Sequence, residues 1–107
     1  MLSEAAKQRL KASLIQTLQE AVVQLDEALK NNDWRRIYAI GHSLKGNSGA
    51  HFFGLERVRL VGETLEKVSA LDPSLDTRWS HLELTPEAAK ALTIEARRTL
   101  QDVLASL

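Results

Sequence analysis

The sequence predicts an all-α protein, an antiparallel up-and-down four-helix bundle, on three observations. Apolar residues recur at steps of three and four in four separate stretches of the chain, the period of amphipathic helices. Helix-start and helix-stop signals punctuate those stretches at short intervals. Nowhere is there the sustained period-two alternation of a strand. With 107 residues, the chain is expected to form one domain spanning 1–107, large enough to bury its own core.

The first helix is expected to begin at Glu4, capped by Ser3 with an acid in its first turn. Leu10, Leu14, Leu18, Val22, Leu25 and Leu29 form its apolar stripe. Asn31-Asn32-Asp33 ends it, and Asp33 can cap a second helix running from Trp34 to roughly His51. Gly54 marks the turn into a third helix, where Leu55, Val58, Val61, Leu65 and Val68 repeat at helical spacing. That helix should stop at Leu71-Asp72-Pro73, because proline cannot continue the hydrogen-bond ladder. Asp72 to Leu84 is the longest loop, pinned to the bundle by Trp79, Leu82 and Leu84. Thr85-Pro86-Glu87 is a strong helix start, and Leu92, Ala96, Leu100, Val103 and Leu107 give the last helix its buried side. Short connections of this kind join antiparallel neighbours.

Composition excludes several function classes. Fourteen basic and fourteen acidic residues cancel, which argues against general nucleic-acid binding. The balance is uneven, however. Lys30, Arg35, Arg36, Lys45, Arg57 and Arg59 face only Asp33 and Glu56 between positions 30 and 60, so an acidic partner is expected there. There is no cysteine, which excludes thiolate metal sites and disulfides and suits a cytoplasmic setting. No N-terminal signal pattern and no apolar run approaching the ~18 residues of a membrane span are found. No association with a membrane is expected.

Chemistry concentrates in the second helix. At about 100° per residue, Trp34, Ile37, Gly41, Leu44 and Ser48 share the core stripe, with Ile40 beside it. Arg35, Tyr38, His42, Lys45 and Gly49 form a second stripe. His42 then points roughly 130–140° away from the core. An exposed imidazole is partly neutral and nucleophilic near neutral pH and can be reached by another protein. Lys45, at i+3, lies on the same face and can offset negative charge on His42. Gly41, Gly46 and Gly49 each cost a helix about 1 kcal/mol relative to alanine. Gly41 can be explained by close packing. Gly46 and Gly49 are read as clearing the approach of a partner to His42.

The run His42-Ser43-Leu44-Lys45-Gly46 resembles the His-x-Leu-Lys-Gly signature of histidine phosphotransfer (HPt) domains, found on the second long helix of a four-helix bundle. The resemblance extends upstream through Leu25, Ala28-Leu29 and Asp33, and downstream to Leu65-Glu66. It implies a phosphorelay intermediate. His42 takes a phosphoryl group from the aspartate of a response-regulator receiver domain and passes it to another receiver. Lys45 supports the phosphoryl group, and Arg35, Tyr38, Gly46 and Gly49 are candidates for docking the receiver. The receiver supplies Mg²⁺, so no cofactor or metal of the chain's own is implied. A hybrid sensor histidine kinase is a further possible partner, and a monomer is expected. One departure stands out: the family places a glycine ten residues after the histidine, where this chain has Phe52. Gly54 and Leu65-Glu66 are both displaced by two residues, as a two-residue insertion at the helix junction would do.

Plainer readings exist for each residue. His42 could be an incidental surface histidine and Lys45 an ordinary solvated lysine. Arg35 and Tyr38 could simply lie on the bundle with their stems against it. His51 falls on the core side if the helix continues that far, and a structural role is expected for it. His81 is read as incidental, and Trp34 and Trp79 as packing residues. The histidine spacing does not make a metal site. No nucleotide-binding or kinase motif is present, so the chain is not read as an enzyme and no autokinase activity is expected. Two alternatives remain: a degenerate bundle that binds receivers without phosphotransfer, and, more weakly, a nucleic-acid binder using the basic region.

Overall fold

A computed structural model describes all residues, 1–107, and contains five α-helices and no strand. Four of them build the bundle: α1 (Glu4–Lys30), α2 (Trp34–Lys45), α4 (Glu56–Glu66) and α5 (Pro86–Ser106). A short α3 (Ser48–Phe52) lies between α2 and α4. No helix is long and apolar enough to cross a membrane.

Caps set the boundaries. The Ser3 hydroxyl accepts from Ala6 N–H at 3.1 Å, Asp33 Oδ1 from Arg36 N–H at 3.1 Å, and Thr85 Oγ1 from Ala88 N–H at 3.1 Å. Each satisfies an amide that the first helical turn leaves without a partner. Asn32 takes φ 49° in the turn between α1 and α2, a conformation asparagine tolerates better than most residues. The chain order α1, α2, α4, α5 runs around the bundle. Antiparallel pairing shows in cross-contacts such as Gly41 with Leu65, Lys45 with Gly62, and Arg57 with Asp102.

The core is formed by Leu14, Leu18, Val22 and Leu25 of α1, Ile37, Ile40 and Leu44 of α2, Val58, Val61 and Leu65 of α4, and Ala96, Leu100 and Val103 of α5. These are largely the residues whose spacing marks them as core. Leu10, Leu29, Leu92 and Leu107 are only partly buried at its margin.

The second helix differs from expectation. It ends at Lys45 rather than near His51, with Gly46 as its C-cap. Asn47 then starts α3, its Oδ1 accepting from Ala50 N–H at 2.8 Å. Glycine weakens a helix and asparagine competes for its backbone, so the pair restarts the chain in a new direction. Everything projected past Lys45 shifts as a result. Ser48 and His51, both placed on the core side, are exposed, and Gly49 is buried. Gly54 then adopts φ +67°, a left-handed conformation that glycine reaches at no steric cost, and sends the chain into α4.

The last turn of the third long stretch tightens into a 3₁₀ segment, Lys67–Leu71, before Asp72 and Pro73. The loop that follows is tied down by short turns. Asp72 Oδ1 accepts from Ser74 N–H at 3.2 Å and Asp76 Oδ1 from Arg78 N–H at 2.8 Å.

Candidate functional site

Two glycines bring α2 and α4 together. A Cβ on Gly41 would stand 2.6 Å from Leu65 Cβ and 2.7 Å from the Gly62 carbonyl oxygen. A Cβ on Gly62 would lie 2.5 Å from both the Gly41 oxygen and the Lys45 nitrogen. The two backbones therefore touch where neither residue carries a side chain. This contact fixes α2 against α4 directly behind His42 and Lys45, and it sets Glu66, one turn after Gly62, beside them.

His42 stands on the outer side of α2 with its side chain 68% exposed. Its Nδ1 lies 3.1 Å from Glu66 Oε2. The Glu66 side chain is only 1% exposed, yet three polar groups converge on it. Lys45 Nζ is 2.8 Å from Oε1 and Arg78 Nη2 is 3.3 Å from the same oxygen. These two are ion pairs rather than well-aligned hydrogen bonds, as Oε1 has no partner in good angular geometry. Burial pushes the Glu66 carboxyl upward, but contacts from Lys45, His42 and Arg78 together outweigh it. Its pKa falls below the ordinary carboxylate value. Glu66 is therefore an anion at neutral pH.

That charge settles the imidazole. An ionised carboxylate can only accept, so Nδ1 carries the proton and donates to Oε2. In the neutral ring the lone pair is then on Nε2, which makes no hydrogen bond within the protein. His42 lines none of the four clefts on the surface. It stands on an open face, where a second macromolecule can approach the nitrogen directly. The arrangement offers a nucleophile oriented from behind by a buried negative charge.

Tyr38, one turn earlier, stacks on His42 with ring centroids 6.1 Å apart and planes at 15°. Its hydroxyl donates to Asp76 Oδ2 at 3.1 Å, reaching from α2 to the long loop. Burial, and then the bond and charge of Asp76, raise the Tyr38 pKa above its ordinary value. Asp76 is shifted the other way, chiefly by the backbone N–H of Arg78, against a smaller opposing effect of burial. Arg78 lies 4.9 Å from the centre of the Trp79 ring, and Lys67 lies 5.2 Å from it. Trp79 thus pins the loop, as its size suggests, between two cations.

The sequence-derived candidates divide accordingly. His42, Lys45 and Tyr38 are brought together. Arg35 is exposed on α2, and Gly46 is exposed at its C-terminus, with only the His42 carbonyl oxygen, at 3.9 Å, near a would-be Cβ. Gly49 is a correction: it is buried against α1, 3.6 Å from Leu14 Cβ and 3.8 Å from Leu10 Cδ1 on the same measure. It cannot clear a partner's path to His42. Lys45 is engaged by Glu66 rather than reaching freely over the ring. Glu66, Asp76 and Arg78 were not singled out as site residues from the sequence. Gly62, a second interior glycine facing Gly41, is the signal that could have pointed to Glu66.

Of three exposed histidines, His42 alone is braced by a buried carboxylate on a neighbouring helix, which makes the bundle a scaffold for a single reactive side chain. The model of the Hpt domain family matches residues 9–106, nearly the whole chain, and the protein belongs to that family. Its members carry out histidine phosphotransfer in two-component relays, as carriers rather than classical enzymes, and interact with receiver domains and kinases. Neither curated proteins nor solved structures give a significant match to the chain.

Proposed function

We propose that the protein is a phosphorelay intermediate in which His42 accepts a phosphoryl group from the aspartyl phosphate of one receiver domain and returns it to another. The observation that carries this reading is the His42–Glu66 pair: an exposed ring whose Nδ1 lies against a buried anion, with Nε2 making no hydrogen bond within the protein.

In the step proposed, the Nε2 lone pair forms the N–P bond as the aspartyl O–P bond breaks, and its electrons leave on the receiver's carboxylate. The ring gains positive charge as the bond forms. Glu66, already in contact with Nδ1–H, stabilises that charge without having to reorganise. Lys45, on the same face, is within a side-chain rotation of the phosphoryl oxygens and offsets part of their charge. The return transfer uses the same contacts in reverse. Mg²⁺ belongs to the receiver in this scheme, and no autokinase step is involved.

Receiver docking is assigned to the exposed surface around His42, with Arg35, Tyr38 and Gly46 as its contributors. Gly46 lies four residues from His42 with open space before it, which favours close approach. Arg35, exposed on α2, suits an acidic receiver pocket, whereas Arg36, Arg57 and Arg59 are paired with acids away from His42. A monomer in the cytoplasm accords with this role. Incubation with a phosphorylated cognate receiver tests the proposal. Wild-type protein should acquire label, and His42→Gln should acquire none. Equal labelling of both would refute it. Receiver binding by wild-type protein that never takes up phosphate would instead support a scaffold without phosphotransfer.

A further inference from the structure

We infer that Arg78, on the loop between α4 and α5, is a second phosphoryl-binding cation, held in reserve on Glu66 and turned toward the phosphoryl group when His42 carries it. This rests on the function proposed above and adds a residue that the helical signature does not contain.

Three observations place Arg78 for this task. Its guanidinium shares Glu66 Oε1 with Lys45, at 3.3 and 2.8 Å, while Oε2 of the same carboxylate holds His42 at 3.1 Å. Arg78 is thus one carboxylate away from the reacting ring. Its backbone is anchored rather than loose. Asp76 takes the Arg78 N–H on one oxygen and the Tyr38 hydroxyl on the other, and Tyr38 stacks on His42. The turn that carries Arg78 is therefore registered against the His42 face. Finally, the guanidinium is only half-committed: it is 43% exposed, it is 3.7 Å from Asp76 Oδ2, and it lies over the Trp79 ring. It can rotate without exposing a core.

Charge supplies the driving force. In the resting protein the carboxylates of Glu66 and Asp76 balance the cations of Lys45 and Arg78. A phosphoryl group on Nε2 carries about two negative charges on its own oxygens. With Nδ1–H kept the ring becomes positive, so the cluster gains about one negative charge net, concentrated on the phosphoryl oxygens. Two carboxylates then compete with a more highly charged oxyanion for the same two cations, and arginine binds phosphate oxygens in a planar, two-pronged geometry. Glu66 keeps the Nδ1–H of His42 and so tolerates the loss of one cation. The proposed transfer itself is unchanged: the same N–P bond forms, the same O–P bond breaks, and Arg78 moves no proton.

The equilibrium of transfer between a phosphorylated receiver and this protein provides the test. Arg78→Ala should shift it toward the receiver by about 3- to 5-fold, the scale of a partly exposed charge contact, with Arg78→Lys recovering part of the loss. Because Arg78 also touches Glu66, the substitution is repeated in a Glu66→Gln background. If Arg78 binds the phosphoryl group, its effect persists there at equal or greater size. An effect that disappears with Glu66→Gln means that Arg78 acts only through the carboxylate, and overturns the inference. So does an unchanged equilibrium in Arg78→Ala while His42 still labels, which leaves the proposed function intact. A wild-type protein that takes no label overturns both.

Discussion

Replacing Glu66 by glutamine keeps the size of the side chain and removes its charge, which separates orientation of the His42 ring from electrostatic support of it. In the wild type, Nδ1–H donates across 3.1 Å to an anion that is itself buried. A hydrogen bond to a charged group contributes ~1.5–3 kcal/mol, against ~1 kcal/mol for a neutral pair. The imidazole is largely exposed, so solvent reduces the difference to about 0.5–1 kcal/mol. That corresponds to a transfer rate lowered about 2- to 5-fold in Glu66→Gln. Glu66→Ala removes the acceptor entirely, frees the ring to rotate and to exchange tautomers, and should lower the rate on the order of 10-fold or more. Stability should separate the two differently. Burying the charge already costs much of what its partners return, so Glu66→Gln should unfold within about 1 kcal/mol of wild type. Glu66→Ala leaves a cavity and costs more. Rapid-quench phosphotransfer from a labelled receiver, together with urea unfolding, gives both quantities. A folded Glu66→Ala protein that accepts phosphate at the wild-type rate would refute the reasoning.

The same carboxylate carries a pH dependence. Its folded pKa lies below the unfolded value, so its stabilising contribution is full above the ordinary carboxylate range and is lost as pH falls through the folded value. The fall in urea midpoint on acidification should therefore be shallower for Glu66→Gln than for wild type. At the helix crossing, Gly62→Ala puts a Cβ 2.5 Å from two backbone atoms of α2 and should cost ~1–3 kcal/mol or more in unfolding free energy. Gly46→Ala meets open space and should stay within about 1 kcal/mol of wild type. Tyr38 is the only tyrosine, so an ultraviolet titration reports on it alone. Its midpoint should lie above the ordinary tyrosine value near ~10 and fall toward it in Asp76→Asn.

The parts of the molecule written in local pattern were legible in the sequence. Ser3, Asp33 and Thr85 act as the caps their positions suggested, and most stripe leucines and valines of the four long helices are core. His42 and Lys45 share a face because three residues make nearly one helical turn. What the sequence concealed depends on packing between segments. Glu66 lies 24 positions from His42 on another helix, and only the Gly41–Gly62 crossing brings them together. Reading Gly62 as a second costly glycine, opposite Gly41, would have exposed that crossing. Gly49 lies off its projected face for a different reason: the backbone stops at Gly46 and restarts at Asn47, so one helical projection does not span both sides. Arg78 sits in a loop without periodicity, so nothing local announces its approach to Glu66.

The proposed transfer turns on one atom, Nε2 of His42. Heteronuclear NMR of the phosphorylated protein, with ¹⁵N-labelled histidine and ³¹P detection, identifies the nitrogen that carries phosphorus. A single phosphorus coupled to Nε2 of His42, with Nδ1 still protonated, is the predicted result. Phosphorus on Nδ1 of His42, or on His51 or His81, would contradict it.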